Sequence, residues 1–210
     1  MKLDRAFVRS ALGGSPARAP HPGPWAEGIR PAAVVVPVHF EPEPMVSFVL
    51  RAAHLSSHAG EIAFPGGKPE PGEELVETAL REAEEEVGLR RDDFELLGTL
   101  TPVPVITGAF LIHPFVMAVR AGAAARPASG EVERVLQTRV FAWLFGELRR
   151  SAYPVEWRGN RIHMPEFSIG GRTLFGATAI VFNELLVRLA DGVGTDLPEP
   201  HSLDKPAWER

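Results

Sequence analysis

A chain of 210 residues, 45% hydrophobic and 23% charged, has the length and composition of one globular domain with a substantial core. Its net charge of −5 argues against a nucleic-acid partner, which would call for a basic surface. The absence of cysteine excludes disulfides, thiolate zinc sites and cysteine nucleophiles. The opening MKLDRAFVRSALGG lacks an apolar signal region, and no run is long enough to cross a bilayer, so a cytoplasmic protein without a membrane partner is expected.

In chain order, Leu3, Phe7, Val8 and Leu12 fall at helical spacing, and Gly13 with Gly14 stops that helix. Residues 15–31 are rich in Pro and Gly and read as an irregular arm. Residues 1–30 are therefore set apart from a main domain over 31–190 and a tail over 191–210. Residues 32–39 and 45–51 read as strands joined by EPEP, and Pro37 suggests an edge position or a bulge. A short strand over 61–64 leads into Pro65-Gly66-Gly67. A helix follows over 73–87, closed by Gly88 in a left-handed conformation. Strands are expected over 94–101 and 111–120, then a mobile small-residue loop, AGAAARPASG. Residues 135–147 suggest a strand followed by a helical turn, and 175–189 a second long helix. Strands flanked by helices indicate a layered α/β domain.

The stretch from Gly67 to Leu89 carries the chemistry. Val76, Ala79, Leu80, Ala83 and Val87 form one apolar stripe suited to packing on a sheet. Glu82 and Glu86 stand one turn apart on another face, about 6 Å along the axis, with Glu85 beside them. Like charges at this spacing repel, by about 0.2–0.5 kcal/mol per exposed pair. A solvated acidic face accounts for EAEEE alone, but convergence on Mg²⁺ or Mn²⁺ turns the repulsion into an asset, because hard cations take oxygen ligands. Gly66-Gly67 permits a sharp turn that brings a backbone carbonyl close, and Glu73 can reach Arg81 two turns later.

This stretch resembles the Nudix box, GX5EX7REUXEEXGU with U bulky and apolar. Gly67, Glu73, Arg81, Glu82, Glu85, Glu86, Gly88 and Leu89 fall on its positions, while Ala83 is small for a U position. The resemblance implies a Nudix-type α/β/α sandwich with a mixed sheet and a loop–helix–loop catalytic motif. It implies metal-dependent hydrolysis of a pyrophosphate bond in a nucleoside-diphosphate derivative, with Mg²⁺ or Mn²⁺ as cofactor. Glu82, Glu85, Glu86 and the backbone of Gly67 would hold the metal. Glu82 would align or deprotonate water, with Glu131 and Glu133 as reserve bases, and Glu73 and Arg81 would brace the carboxylates.

Upstream, Arg51-Ala52, Gly60 and Phe64-Pro65-Gly66-Gly67 are similar to the extra signature of the coenzyme A pyrophosphatase branch. Val49 stands where that signature has Thr, and Ser56 where it has a second Arg. Downstream, Thr107-Gly108-Ala109-Phe110 with His113-Pro114, and residues 174–179, also look like that branch. The resemblance implies coenzyme A as a small-molecule substrate, cut to 3′,5′-ADP and 4′-phosphopantetheine. ADP-ribose, dinucleotide polyphosphates and oxidised nucleotides are alternatives, as is a sensor that binds without hydrolysing. Arg51 and Phe64 are its candidate substrate-binding residues, although an apolar strand residue before a turn, as Phe64 is, more often takes a place in the core, and a homodimer is compatible with it. Lys68, after the glycine turn, reads as either a surface lysine or a phosphate contact. His54, His58 and His113 lack the partners of a zinc site, and Trp143 and Trp157 read as packing residues.

Overall fold

The computed structural model describes residues 3–13, 28–105, 109–157 and 159–209. Most of the expected irregular arm, together with Thr107 and Gly108, lies outside them. The main sheet is built from β1 (Arg30–His39), β2 (Met45–Arg51), β3 (Ile62–Ala63), β5 (Phe94–Thr99) and β7 (Phe110–Val119) in the order β3-β2-β1-β7-β5. Short β4 (Gly66–Gly67) pairs with β1, β6 (Val103–Pro104) with β7, and β8 (Val132–Arg139) with β2. The sheet is mixed, because β1 and β7 run parallel while the other pairs run antiparallel.

Alternation along the strands makes two cores. Ala33, Val35, Val49, Met117 and Val119 pack with Ala79, Leu80, Ala83 and Val87 of α2 (Leu75–Val87). Val36, Val38, Phe48, Leu50 and Val116 face the other way, onto α1 (Arg5–Gly13) and α4 (Gly176–Val193). Phe48 lies at the centre of that second core, stacked on Phe64 at 4.7 Å and edge-on to Phe182 at 5.2 Å. The result is the expected α/β/α sandwich. Its α2 stripe is the one read from the sequence, and Gly88 ends α2 with φ of 69°.

Several expectations need correction. Pro37 is not at an edge, because β1 is flanked on both sides. Val35 donates its N–H to Pro65 on the β4 side, so Pro37, two residues on, turns its nitrogen the same way. There β1 leaves β4 and has not yet met β2, whose pairing begins at Val38, so little hydrogen bonding is lost. The 121–130 segment is not a free loop. Arg126 and Ala128 donate their N–H groups to the carbonyls of Val87 and Glu86, tying the segment to the last turn of α2.

The α2 helix starts at Leu75, not at residue 73, because the Glu73 carboxylate closes the preceding turn. Residues 135–147 resolve into the end of β8 and a short α3 (Val140–Leu144). A second sheet, β11-β10-β9-β12, was not anticipated. It comprises β9 (Ser151–Trp157), β10 (Asn160–Ile169), β11 (Arg172–Leu174) and β12 (His201–Ser202), the last drawn from the tail. Pro154 and Pro165 obscure its alternation. One signal was present: Gly170-Gly171, both at positive φ, forms the two-residue turn between β10 and β11.

Phe48 is fully buried between two aromatic rings, so Phe48→Ala should cost about 3–5 kcal/mol in urea unfolding. A loss below about 1 kcal/mol would show that this core repacks freely.

Candidate active site

The turn before α2 is organised by one carboxylate. Glu73 accepts the Glu70 N–H at 2.9 Å, the Thr78 hydroxyl at 2.8 Å, and Nε and Nη2 of Arg81 at 2.9 and 3.2 Å. The Arg81 guanidinium, more than any other partner, holds the Glu73 carboxyl down at about 2. Arg81 also donates to Glu82 at 3.1 Å, to Glu85 at 3.3 Å and to the Lys68 carbonyl at 3.1 Å. A single guanidinium thus joins the turn, the glycine loop and two glutamates.

Glu86 lies deeper, 6% exposed, and accepts the Gly66 N–H at 3.2 Å. Burial pushes its carboxyl up to about 7, and Glu82 and Glu131 push it the same way. Glu82 is also raised, chiefly by burial. Arg51, at the end of β2, stands between two acids, with its guanidinium 3.7 Å from Glu86 and 3.5 Å from Glu131. A Cβ at Gly67 would collide with the Glu82 carboxylate, and one at Gly66, where φ is 158°, with the backbone of β1. Gly66 is required for the close approach to β1, and any side chain at Gly67 would displace the Glu82 carboxylate.

The structure therefore brings together Gly67, Glu73, Arg81, Glu82, Glu85, Glu86 and Arg51, and adds Glu131. Glu133 does not join them. Val132 pairs with Arg51 and Arg134 with Leu50, leaving Glu133 as the extra residue of a bulge, 3.8 Å from Arg134. Phe64 must be corrected too. It is 4% exposed and stacked on Phe48 in the α4-side core, so it faces away from the acids and offers no ligand surface.

Among the described residues, no group of three His, Asp or Glu side chains is gathered closely enough to hold an ion. Glu85 and Glu82 are drawn to Arg81, and Glu86 to Gly66 and Arg51. The donor set nonetheless suits a hard divalent cation. It offers only oxygens, two of its carboxyls are raised by burial and mutual repulsion, and the side-chain-free Gly67 cradles one of them.

An acid-bearing helix behind a glycine turn, on one face of an α/β/α sandwich, defines a class of diphosphate-cleaving hydrolases. The NUDIX domain pattern matches residues 28–145, more than half of the chain, and the chain belongs to the Nudix family. It is 32% identical to an uncharacterized Nudix hydrolase, NudL, of Photorhabdus laumondii, over 79% of this chain and 88% of that protein. A NudL of Yersinia enterocolitica is 44% identical over 46% of this chain, a match spanning only half of the relative's length. In fold, the chain is similar to a crystal structure of a NUDIX hydrolase from Nitrosomonas europaea. That likeness has a TM-score of 0.50 and 16% identity, over 85% of this chain and 81% of the other. Nudix hydrolases act on pyrophosphate bonds in nucleotide derivatives and generally use divalent ions such as Mg²⁺ or Mn²⁺. No helix among the described residues is long and apolar enough to cross a membrane.

The raised Glu86 carboxyl has a consequence for stability. The folded protein keeps this proton up to about 7, whereas an unperturbed carboxyl of 4.5 has lost it. The folded state thus binds more protons in that window, and the stability of the metal-free protein falls as pH rises through it. Glu86→Gln should stabilise the metal-free protein at about pH 8 and have little effect at about pH 4.5, read from urea midpoints. Equal effects at both pH values would show that burial does not raise this group.

Proposed function

We propose that the chain hydrolyses the diphosphate of coenzyme A, yielding 3′,5′-ADP and 4′-phosphopantetheine, in the cytoplasm. The observation that carries this reading is the position of Arg51. The coenzyme A-type signature includes Arg51 and ends at Gly67, and its arginine lies 3.7 Å from Glu86 of the box. Backbone bonds from Arg51 to Glu61 and from Gly60 to Arg51 fold that segment back on itself. Signature and box thus form one surface.

In this reading Glu82, Glu85, Glu86 and the Gly67 carbonyl hold the divalent ions. When bound, these ions neutralise the diphosphate and acidify the attacking water. Arg81, pinned by Glu73, sets the directions of Glu82 and Glu85. Glu82 aligns the water and takes its proton, a task favoured by a carboxyl raised through burial. Glu131 is the second candidate for the base. It is exposed and 3.5 Å from Arg51, so it can approach a substrate held there. Arg51, beside Glu86 and Glu131, would donate its fork to a diphosphate oxygen.

Turnover should require Mg²⁺ or Mn²⁺ and stop with EDTA. Glu82→Gln and Glu86→Gln should each lower kcat by about 10²-fold or more, while Glu84→Gln stays near wild type. Activity persisting after exhaustive chelation, or equal rates in Glu82→Gln and Glu84→Gln, would sink the mechanism.

Substrate choice is decided by kcat/KM for coenzyme A, ADP-ribose, diadenosine polyphosphates and 8-oxo-dGTP with one preparation. Coenzyme A should lead. A lead of about tenfold for any other compound would leave only the family assignment standing.

A further inference from the structure

The end of the sheet that carries the acids also carries a basic cluster. β1 and β7 begin there, β2 ends there and β8 begins there, as the pairings Arg30↔Phe110 and Arg51↔Val132 require. The Arg30 guanidinium lies over the Phe110 ring, 4.4 Å from its centroid, and the Lys68 ammonium lies 5.2 Å from the same centroid. No carboxylate among the described residues stands within ion-pair distance of either cation. Arg51 and Arg81 at the same site are both tied to glutamates, and the chain carries 27 acidic against 22 basic residues. Among the described residues, these two cations share one ring with no acid between them.

We propose that Arg30, Lys68 and Phe110 form a subsite for a phosphomonoester dianion carried by the nucleotide substrate. The inference rests on the diphosphate-hydrolase reading above and deepens it by locating the second phosphate of a nucleoside 3′,5′-bisphosphate. Lys68 follows Gly67 directly, about 3.8 Å on from Cα to Cα. Gly67 faces Glu82, while Lys68, the residue after β4, reaches the Phe110 ring. A nucleotide with its diphosphate at the acids therefore crosses the lip of the sheet to bring its ribose phosphate to the cations. Two charges match a dianion, the arginine fork and the lysine point charge supply complementary donors, and the ring holds both in place before the ligand arrives. With cations over its ring, Phe110 positions charge and is not a platform for the base.

The test compares ligands that differ only in this phosphate. In calorimetry, the wild-type protein should bind 3′,5′-ADP about tenfold more tightly than 5′-AMP, as a charge-assisted contact would give. Arg30→Met and Lys68→Met should each remove most of that ratio, while Lys68→Arg keeps it. The ratio of kcat/KM for coenzyme A to that for dephospho-coenzyme A should fall in parallel. Because each readout is a ratio within one variant, loss of folded protein does not imitate the effect. An unchanged ratio in both Met variants, or equal weakening of both nucleotides, would overturn the subsite. A wild-type enzyme that leaves coenzyme A intact, yet shows the 3′,5′-ADP preference and loses it in these variants, would overturn the coenzyme A reading and support the subsite.

Discussion

Glutamates crowded on one helix repel one another, and the protein holds them in place through Arg81. Its guanidinium binds Glu73 through two nitrogens, reaches Glu82 and Glu85, and ends on the Lys68 carbonyl. The pairing with Glu73 costs little to form in partly exposed surroundings and orients the planar fork. Once that fork is fixed, the glycine loop, the start of α2 and two acids share one frame. Glu86 lies outside this frame, held by burial, the Gly66 N–H and Arg51. The site therefore has a braced half and a buried half.

The sheet sets both halves at one of its ends. Because β1 and β7 are parallel and β2 and β8 are antiparallel neighbours of the same sheet, several strand termini meet at one end, where Arg51 closes β2 beside the acids of α2. Core packing on both faces keeps that end rigid, with α2 on one side and α1 and α4 on the other. The Pro37 arrangement belongs to the same design. β1 exchanges β4 for β2 partway along its length, and this opening is what admits the glycine turn between two main strands.

Much of this was legible in the sequence, and unevenly so. The acidic helix was readable to within two residues, because apolar spacing, charged face and glycine stop all pointed to one element. The box residues were identifiable because their chemistry needs fixed spacing. For Phe64 the motif position suggested a ligand contact while its apolar character favoured the core, and the core took it, stacked on Phe48. Glu131 and Glu133 could not be separated from sequence, since a single bulge decides which of them meets Arg51. Strands β9 to β11 escaped notice because internal prolines and polar residues blur a two-residue period, although Gly170-Gly171 marked their turn. The grouping of Arg30 with Phe110 arises only from strand pairing across eighty residues.

The alanine-rich segment between β7 and β8 touches α2 through its backbone. The N–H groups of Arg126 and Ala128 cap the last carbonyls of the helix that carries Glu86. Ala123 and Ala125 also pack against the core beneath that helix, so small residues suit those two positions and side-chain identity is freer at the others. Chain length and the two N–H donors are not free. Relatives should vary in residue type across the rest of this stretch more readily than in its length, and a proline at either donor position would fray the helix end that carries Glu86.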